Sequence, residues 1–258
     1  MSITRYNFLL ITILFTLVAI GTQAKVLNEN NPEGYKQFRL SYEEMQEIAN
    51  NNRLKHRVFY ERPSEGPNAA WFDAVKQGDF ETVKMMVEKG QNIEVKDEAN
   101  FGQTALGWAA FIGYEDIVDY LLDHGADVMA TDRADVPNVL KAAGLGRNVS
   151  IFKKLYERLK DKVDINDRTV DTQGETILFV AAFNNRVEIA AFLLSIGADP
   201  NLATTEQNKN HPVYNQNPLS IACAQGLVEM SVLLIKYGAI NMHTGKASCE
   251  GEEAINNK

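Results

Sequence analysis

One phrase recurs along the chain and limits what it can fold into. Residues 102–110 read Gly-Gln-Thr-Ala-Leu-Gly-Trp-Ala-Ala, residues 174–182 read Gly-Glu-Thr-Ile-Leu-Phe-Val-Ala-Ala, and residues 217–223 read Asn-Pro-Leu-Ser-Ile-Ala-Cys. Each is followed by a second apolar run that closes on Gly-Ala, at Gly125-Ala126-Asp127, Gly197-Ala198-Asp199 and Gly238-Ala239. A unit of about 33 residues with two short apolar runs cannot bury its hydrophobic face alone, so it must stack on its neighbours.

The residue between the two runs of each unit is the best anchor. It falls at Gly78, Gly113, Gly146, Asn185 and Gly226, with spacings of 35, 33, 39 and 41. The two longer spacings place extra residues between units, and residues 204–216, rich in Asn and carrying Pro212, read as an extended finger. The second run of each unit has helical periodicity: Ile117, Val118, Leu121 and Leu122 form one stripe, as do Val83, Met86 and Val87, then Ile189, Phe192 and Leu193, then Met230, Leu233 and Leu234. Paired alanines at 109–110, 142–143 and 181–182 predict close helix approach. Gly90, Gly125, Gly197 and Gly238 stand where a left-handed helix end is expected. The third unit is degenerate: Pro137 is early, Leu140 and Lys141 are atypical, and the Gly-Ala-Asp ending is lost after a second helix over about 150–160.

The period and the Thr-Ala-Leu-like phrase resemble the ankyrin repeat. The resemblance implies an all-α solenoid of about five helix-turn-helix repeats with loop fingers over residues 68–242, preceded by an N-terminal helical cap and linker over 25–67. Within that cap, Ser41-Tyr42-Glu43-Glu44 reads as a capping box. The tail, residues 243–258, is small and polar and reads as disordered.

The first 24 residues read as a secretory signal: Arg5, an apolar run from Phe8 to Ile20, then Thr22-Gln23-Ala24 as a small-x-Ala cleavage site. The run is shorter than the ~20 residues of a membrane span. Cleavage after Ala24 leaves a chain without a stable span, placed in the periplasm or secreted. The formal charge is −8 for the whole chain, and −9 without the leader, whose one charged residue is Arg5; no basic stripe is visible, which argues against nucleic acid as a partner. The composition, with no long low-complexity tract, is read as that of a bacterial envelope protein. Cys223 occupies an inward helix position and reads as a buried free thiol; a disulfide with Cys249 is the alternative in an oxidising compartment.

The four histidines, His56, His124, His211 and His243, share no metal-like or catalytic spacing, and no phosphate loop or nucleophile elbow is present. Neither metal nor cofactor is expected. Asn148-Val149-Ser150 is a glycosylation sequon, relevant only in a eukaryotic secretory route. The ankyrin resemblance implies a partner protein held by the finger tips and the inner side of the first helices. Carried over by position, that face offers Phe111, Ile112, Leu145 and Phe183 as one solvent-facing strip, with Trp108 and Phe179 just before them on the same helices. The resemblance implies a monomeric binding module: an immunity protein that plugs a toxic effector, or an accessory to an envelope enzyme such as a catalase. An exported effector that binds a host protein is the alternative, and an enzyme would require a site the sequence does not display.

Overall fold

The computed structural model describes residues 64–98, 102–132, 138–169 and 173–252. Ten helices and one short ladder fill them: α1 Ala69–Gln77, α2 Phe80–Glu88, β1 Lys96–Asp97, β2 Gln103–Thr104, α3 Ala105–Ile112, α4 Glu115–Asp123, α5 Val139–Leu145, α6 Val149–Leu159, α7 Ile177–Phe183, α8 Val187–Ser195, α9 Pro218–Ala224 and α10 Val228–Lys236. The leader and the segment holding the Ser41–Glu44 capping box lie outside the described residues.

The recurring phrase opens helices. Thr104 and Thr176 accept the backbone N–H three residues on through their side chains, and Asn217 does so within a reciprocal capping box with Ser220, with Pro218 at the first helical position. Such caps satisfy orphan N–H groups at a helix start and contribute about 1 kcal/mol each. The helices then alternate between two layers. The first helices, α1, α3, α5, α7 and α9, stack in order to form an inner row; α2, α4, α6, α8 and α10 stack behind them. The small alanine pairs sit at no more than 1% exposure in that stack. In the outer row Ile117, Val118, Leu121, Ile189, Leu193, Met230 and Leu234 point inward as their period requires.

Between the two helices of a repeat the chain reverses on one left-handed residue: Gly78 (φ 69°), Gly113 (φ 106°), Asn185 (φ 54°) and Gly226 (φ 69°). The third repeat departs from this. Gly146 is extended, at φ −71° and ψ −171°, and Asn148 rather than the next residue caps the following helix. Its first helix also starts late: Asn138 lies four residues before Ala142, whereas Thr104 lies five before Ala109. The residue missing from α5 is recovered in the turn. Glycine is needed at 146 for space rather than for φ, because a Cβ there would stand 2.5 Å from the Phe111 carbonyl oxygen. Asn148 is 1% exposed, with its Oδ1 accepting from the Ile151 N–H and its Nδ2 donating to the Gly113 carbonyl. The sequon is thus spent on structure. Lys154 nevertheless ties this repeat to the one before, pairing with Glu115 at 3.4 Å and with Asp119, while Ser150 donates to Glu115. The irregular turn makes residues 138–159 the expected weak point of the stack. Hydrogen exchange checks this: faster exchange is expected there than over residues 105–123, and equal protection would refute it.

The finger loops are joined by a polar ladder that the periodicity did not display. Glu94 accepts from the Asp127 N–H at 2.9 Å. Asn166 accepts from the Asp199 N–H at 2.9 Å and donates to the Gly197 carbonyl at 3.4 Å. Asn201 repeats that pair one unit later, accepting from the Ile240 N–H at 2.8 Å and donating to the Gly238 carbonyl at 3.1 Å. Each of these three Gly-Ala corners is therefore read by a side chain of the preceding finger.

The C-terminal segment differs from the expected disordered tail through residue 252. Asn241, fully buried, closes a loop by donating its backbone N–H to the Lys246 carbonyl and its Nδ2 to Glu252. Asn217 reaches the Ile240 carbonyl at 2.7 Å. Cys249 is bonded to Cys223 of α9, so the free-thiol expectation gives way to the disulfide. Polarity alone misled here, because a disulfide and the buried Asn241 hold in place a segment whose other residues stay largely exposed. Residues 253–258 lie outside the described part.

Candidate binding face

The inner row presents no solvent-facing aromatic strip. Phe111 is 4% exposed, Ile112 0%, Leu145 3%, Phe183 7%, Trp108 1% and Phe179 0%. The expected exposure is therefore corrected, for a reason that lies in helix length. Every residue of α3, α5 and α7 is buried, because these helices have seven or eight residues and are covered on all sides. Neighbouring inner helices lie on two sides and the outer row behind. Loops close the front.

Two different constructions cover that front. Over α3, Trp108 meets a polar knot. Its indole N–H donates to Asp97 Oδ2 at 3.2 Å, Lys76 Nζ lies 2.6 Å from the same carboxylate and 4.6 Å from the indole ring centre, and Ser64 bonds both. Asp97 is held in place by the β1–β2 ladder, which pairs it with Gln103. Burial pushes the Lys76 ammonium below the ordinary lysine range, and Asp97 opposes that shift. Phe111 lies beside Trp108, its ring tilted and the ring centres 6.3 Å apart.

Over α7 the cover is apolar. Phe179 and Phe183 stack with ring centres 6.2 Å apart and form, with Ile221 of α9 and Val213, a cluster separate from the main core. Val213 belongs to residues 204–216, read from sequence as an extended finger. The segment instead folds back. Thr204 N–H donates to the Gln216 carbonyl at 2.8 Å, the Thr204 hydroxyl donates to the Val213 carbonyl, and Thr205 N–H donates to the Gln173 carbonyl. The missed signal was Val213 itself, an isolated aliphatic residue in a polar stretch.

The open surface lies elsewhere. A cleft of about 490 Å³ opens at the start of α8, where Arg147 and Arg186 face Glu188 and Glu229. It mixes both charges. His124 Nδ1 lies 2.7 Å from the Tyr120 carbonyl oxygen in the last turn of α4, and its ring lies tilted against Tyr120 with centres 4.0 Å apart. Among the described residues, no group of three or more His, Cys, Asp or Glu side chains is placed to hold a metal ion, and no helix is long and apolar enough to cross a membrane.

Known proteins are similar to this chain in sequence. The family model described as ankyrin repeats in three copies matches residues 37–132, beginning ahead of the first described helix, and the single ankyrin repeat model matches residues 173–205. Human protein phosphatase 1 regulatory subunit 27 is 42% identical over 86 residues, 33% of this chain and 54% of that protein. A putative ankyrin repeat protein of Rickettsia felis is 30% identical over 131 residues, 50% of this chain and 41% of that protein. Mouse rabankyrin-5 is 25% identical over 177 residues, 57% of this chain and 15% of that protein. The chain thus spans about half or less of the length of these relatives. Ankyrin repeats are protein–protein interaction modules and typically non-enzymatic. Stacked helix pairs, left-handed turn residues, capped inner helices and two family matches agree, and the chain belongs to the ankyrin repeat family.

Proposed function

We propose that this protein is an exported binding module that grips one partner protein through its fingers and the front of its inner row. The observation that carries the export half is the Cys223–Cys249 disulfide, a bond that persists in oxidising compartments and is rare in reducing ones. It agrees with the leader-like residues 1–24, whose cleavage after Ala24 would place Lys25 at the mature N-terminus. N-terminal sequencing of protein from periplasm or medium is expected to begin at Lys25. A chain that retains Met1 in the membrane fraction would overturn the export reading.

The binding half rests on the array. Phe111, Ile112, Leu145, Phe183, Trp108 and Phe179 underlie the proposed face rather than coat it, so first contact falls to the finger loops that cover them. Within this reading the partner is a toxic effector held inactive, or an envelope enzyme kept active. A pull-down from a periplasmic extract, with the mature oxidised chain as bait, separates the two by the identity of the captured protein. Recovery of no stoichiometric protein partner would count against the module reading.

A further inference from the structure

The apolar patch at Phe179 and Phe183 is covered by a segment bonded to the stack at its two ends, Thr205 to the Gln173 carbonyl and Gln216 to the Ser220 hydroxyl, with Val213 packed between them. Of residues 204–216, Thr204, Val213 and Gln216 are buried and the others are at least partly exposed. Val213 alone supplies the aliphatic contact to the two rings and Ile221. Asn215 turns the segment in a left-handed conformation, φ 53°. What holds that corner comes from the far end of the chain. His243 Nε2 donates to the Asn215 carbonyl at 2.7 Å, and its Nδ1 faces the Glu252 carboxylate at 2.7 Å. Glu252 also takes the Asn241 amide at 2.7 Å, and the Glu252 N–H donates to the Cys249 carbonyl. Cys249 is exposed, half of a disulfide whose other half, Cys223, sits in α9, the helix that also supplies Ile221 to the patch. A chain of contacts thus runs from disulfide to hook to strap to aromatic pair.

We propose that residues 204–216 are a strap over a binding patch formed by Phe179, Phe183 and Ile221, and that the Cys223–Cys249 disulfide locks it shut through the hook at residues 239–252. This deepens the partner-binding reading and rests on it for the use of the patch. The ligand the patch takes is an aliphatic side chain of a protein partner, in the place Val213 fills from within the same chain. The lock opens by exchange with a dithiol reductant. A thiolate of the dithiol attacks the exposed Cys249 sulfur, the Cys223–Cys249 bond breaks, and Cys223 leaves as a thiolate that takes up a proton. The second sulfur of the dithiol then expels Cys249, which is protonated in turn. Two electrons and two protons pass to the protein, and the reductant becomes a disulfide. The hook then loses its covalent tether and His243 its fixed position, while the ties at the two ends of the strap, Thr205 to Gln173 and Gln216 to Ser220, and the Val213 contact remain.

Hydrogen exchange of the full chain with and without dithiothreitol tests this without any partner. Reduction is expected to speed exchange of residues 204–216 and 239–252 by about tenfold or more while residues 105–123 stay unchanged. Fluorescence of an added apolar dye is expected to rise as the rings open. Cys249→Ser should show the open pattern and ignore the reductant. His243→Ala, with the disulfide intact, should loosen 204–216 and leave Cys223 and Cys249 bonded. Unchanged exchange of 204–216 on reduction, acceleration spread evenly over all repeats, or a His243→Ala strap as protected as wild type would each overturn the proposal. Failure here leaves partner binding at the fingers standing, and a failed pull-down leaves the strap mechanism intact.

Discussion

Replacing Phe111 or Phe183 by alanine is expected to destabilise the fold by ~3–5 kcal/mol, the range for large-to-small changes at buried aromatic positions. Both rings are at most 7% exposed, so truncation opens a cavity between helices of neighbouring repeats. Because stacked repeats draw much of their stability from shared interfaces, the loss spreads beyond the mutated helix. The expected drop in melting temperature is several degrees or more, of order 2–8 °C per kcal/mol depending on domain size. A thermal or urea melt checks this directly. An unchanged melt, with binding lost, would return both rings to the solvent-facing role read from the sequence. The two sites should differ in one respect: Phe183 sits under the strap, whose contacts can readjust, whereas Phe111 adjoins the tight backbone approach at Gly146.

Asp97→Ala is the second large effect. Its carboxylate is 1% exposed and takes the Lys76 ammonium, the Trp108 indole and the Ser64 hydroxyl together. Removing one partner of a buried pair leaves the other charge uncompensated, which costs ~3–5 kcal/mol. Burial already pushes the Lys76 proton toward release, so without Asp97 that lysine is held still less readily in its charged form. Urea denaturation of Asp97→Ala beside Asp97→Ala/Lys76→Met tests the cause. The double variant is expected to recover part of the loss, since it removes the stranded charge and keeps an unbranched apolar stem. No recovery would mean that Trp108 and Ser64, rather than Lys76, depend on the carboxylate.

The helical scaffold was legible because its signals are local. A cap residue, an apolar period of 3.6 and a glycine at the turn lie within a few positions of one another, so Thr104, Leu121 and Gly113 could be placed from sequence alone. The front of the inner row was not legible. Whether Phe179 faces water depends on Val213, 34 residues later and across an irregular loop, where no period links the two. The same holds for Trp108, whose cover of Lys76, Asp97 and Ser64 is assembled from three separate loops and helix ends. The C-terminal segment failed for the opposite reason: its composition is that of a disordered tail, but a covalent bond and one buried asparagine outweigh composition. Gly146 was placed at its turn by spacing alone, which says nothing of the Phe111 carbonyl that a Cβ there would meet.

The strap tip settles its polar groups within itself. Gln207 donates back to the Thr205 carbonyl, Asn208 N–H to Glu206, and Asn210 N–H to Asn208. The inter-repeat ladder at Asn166 and Asn201 meanwhile fixes the stack without using any of these residues. Heritable change at positions 207–210 therefore meets little resistance from folding, and a lineage under pressure to track a changing partner can rewrite that surface while inheriting the same framework. Diversity among descendants of this chain is expected to gather at that tip before it touches the helices.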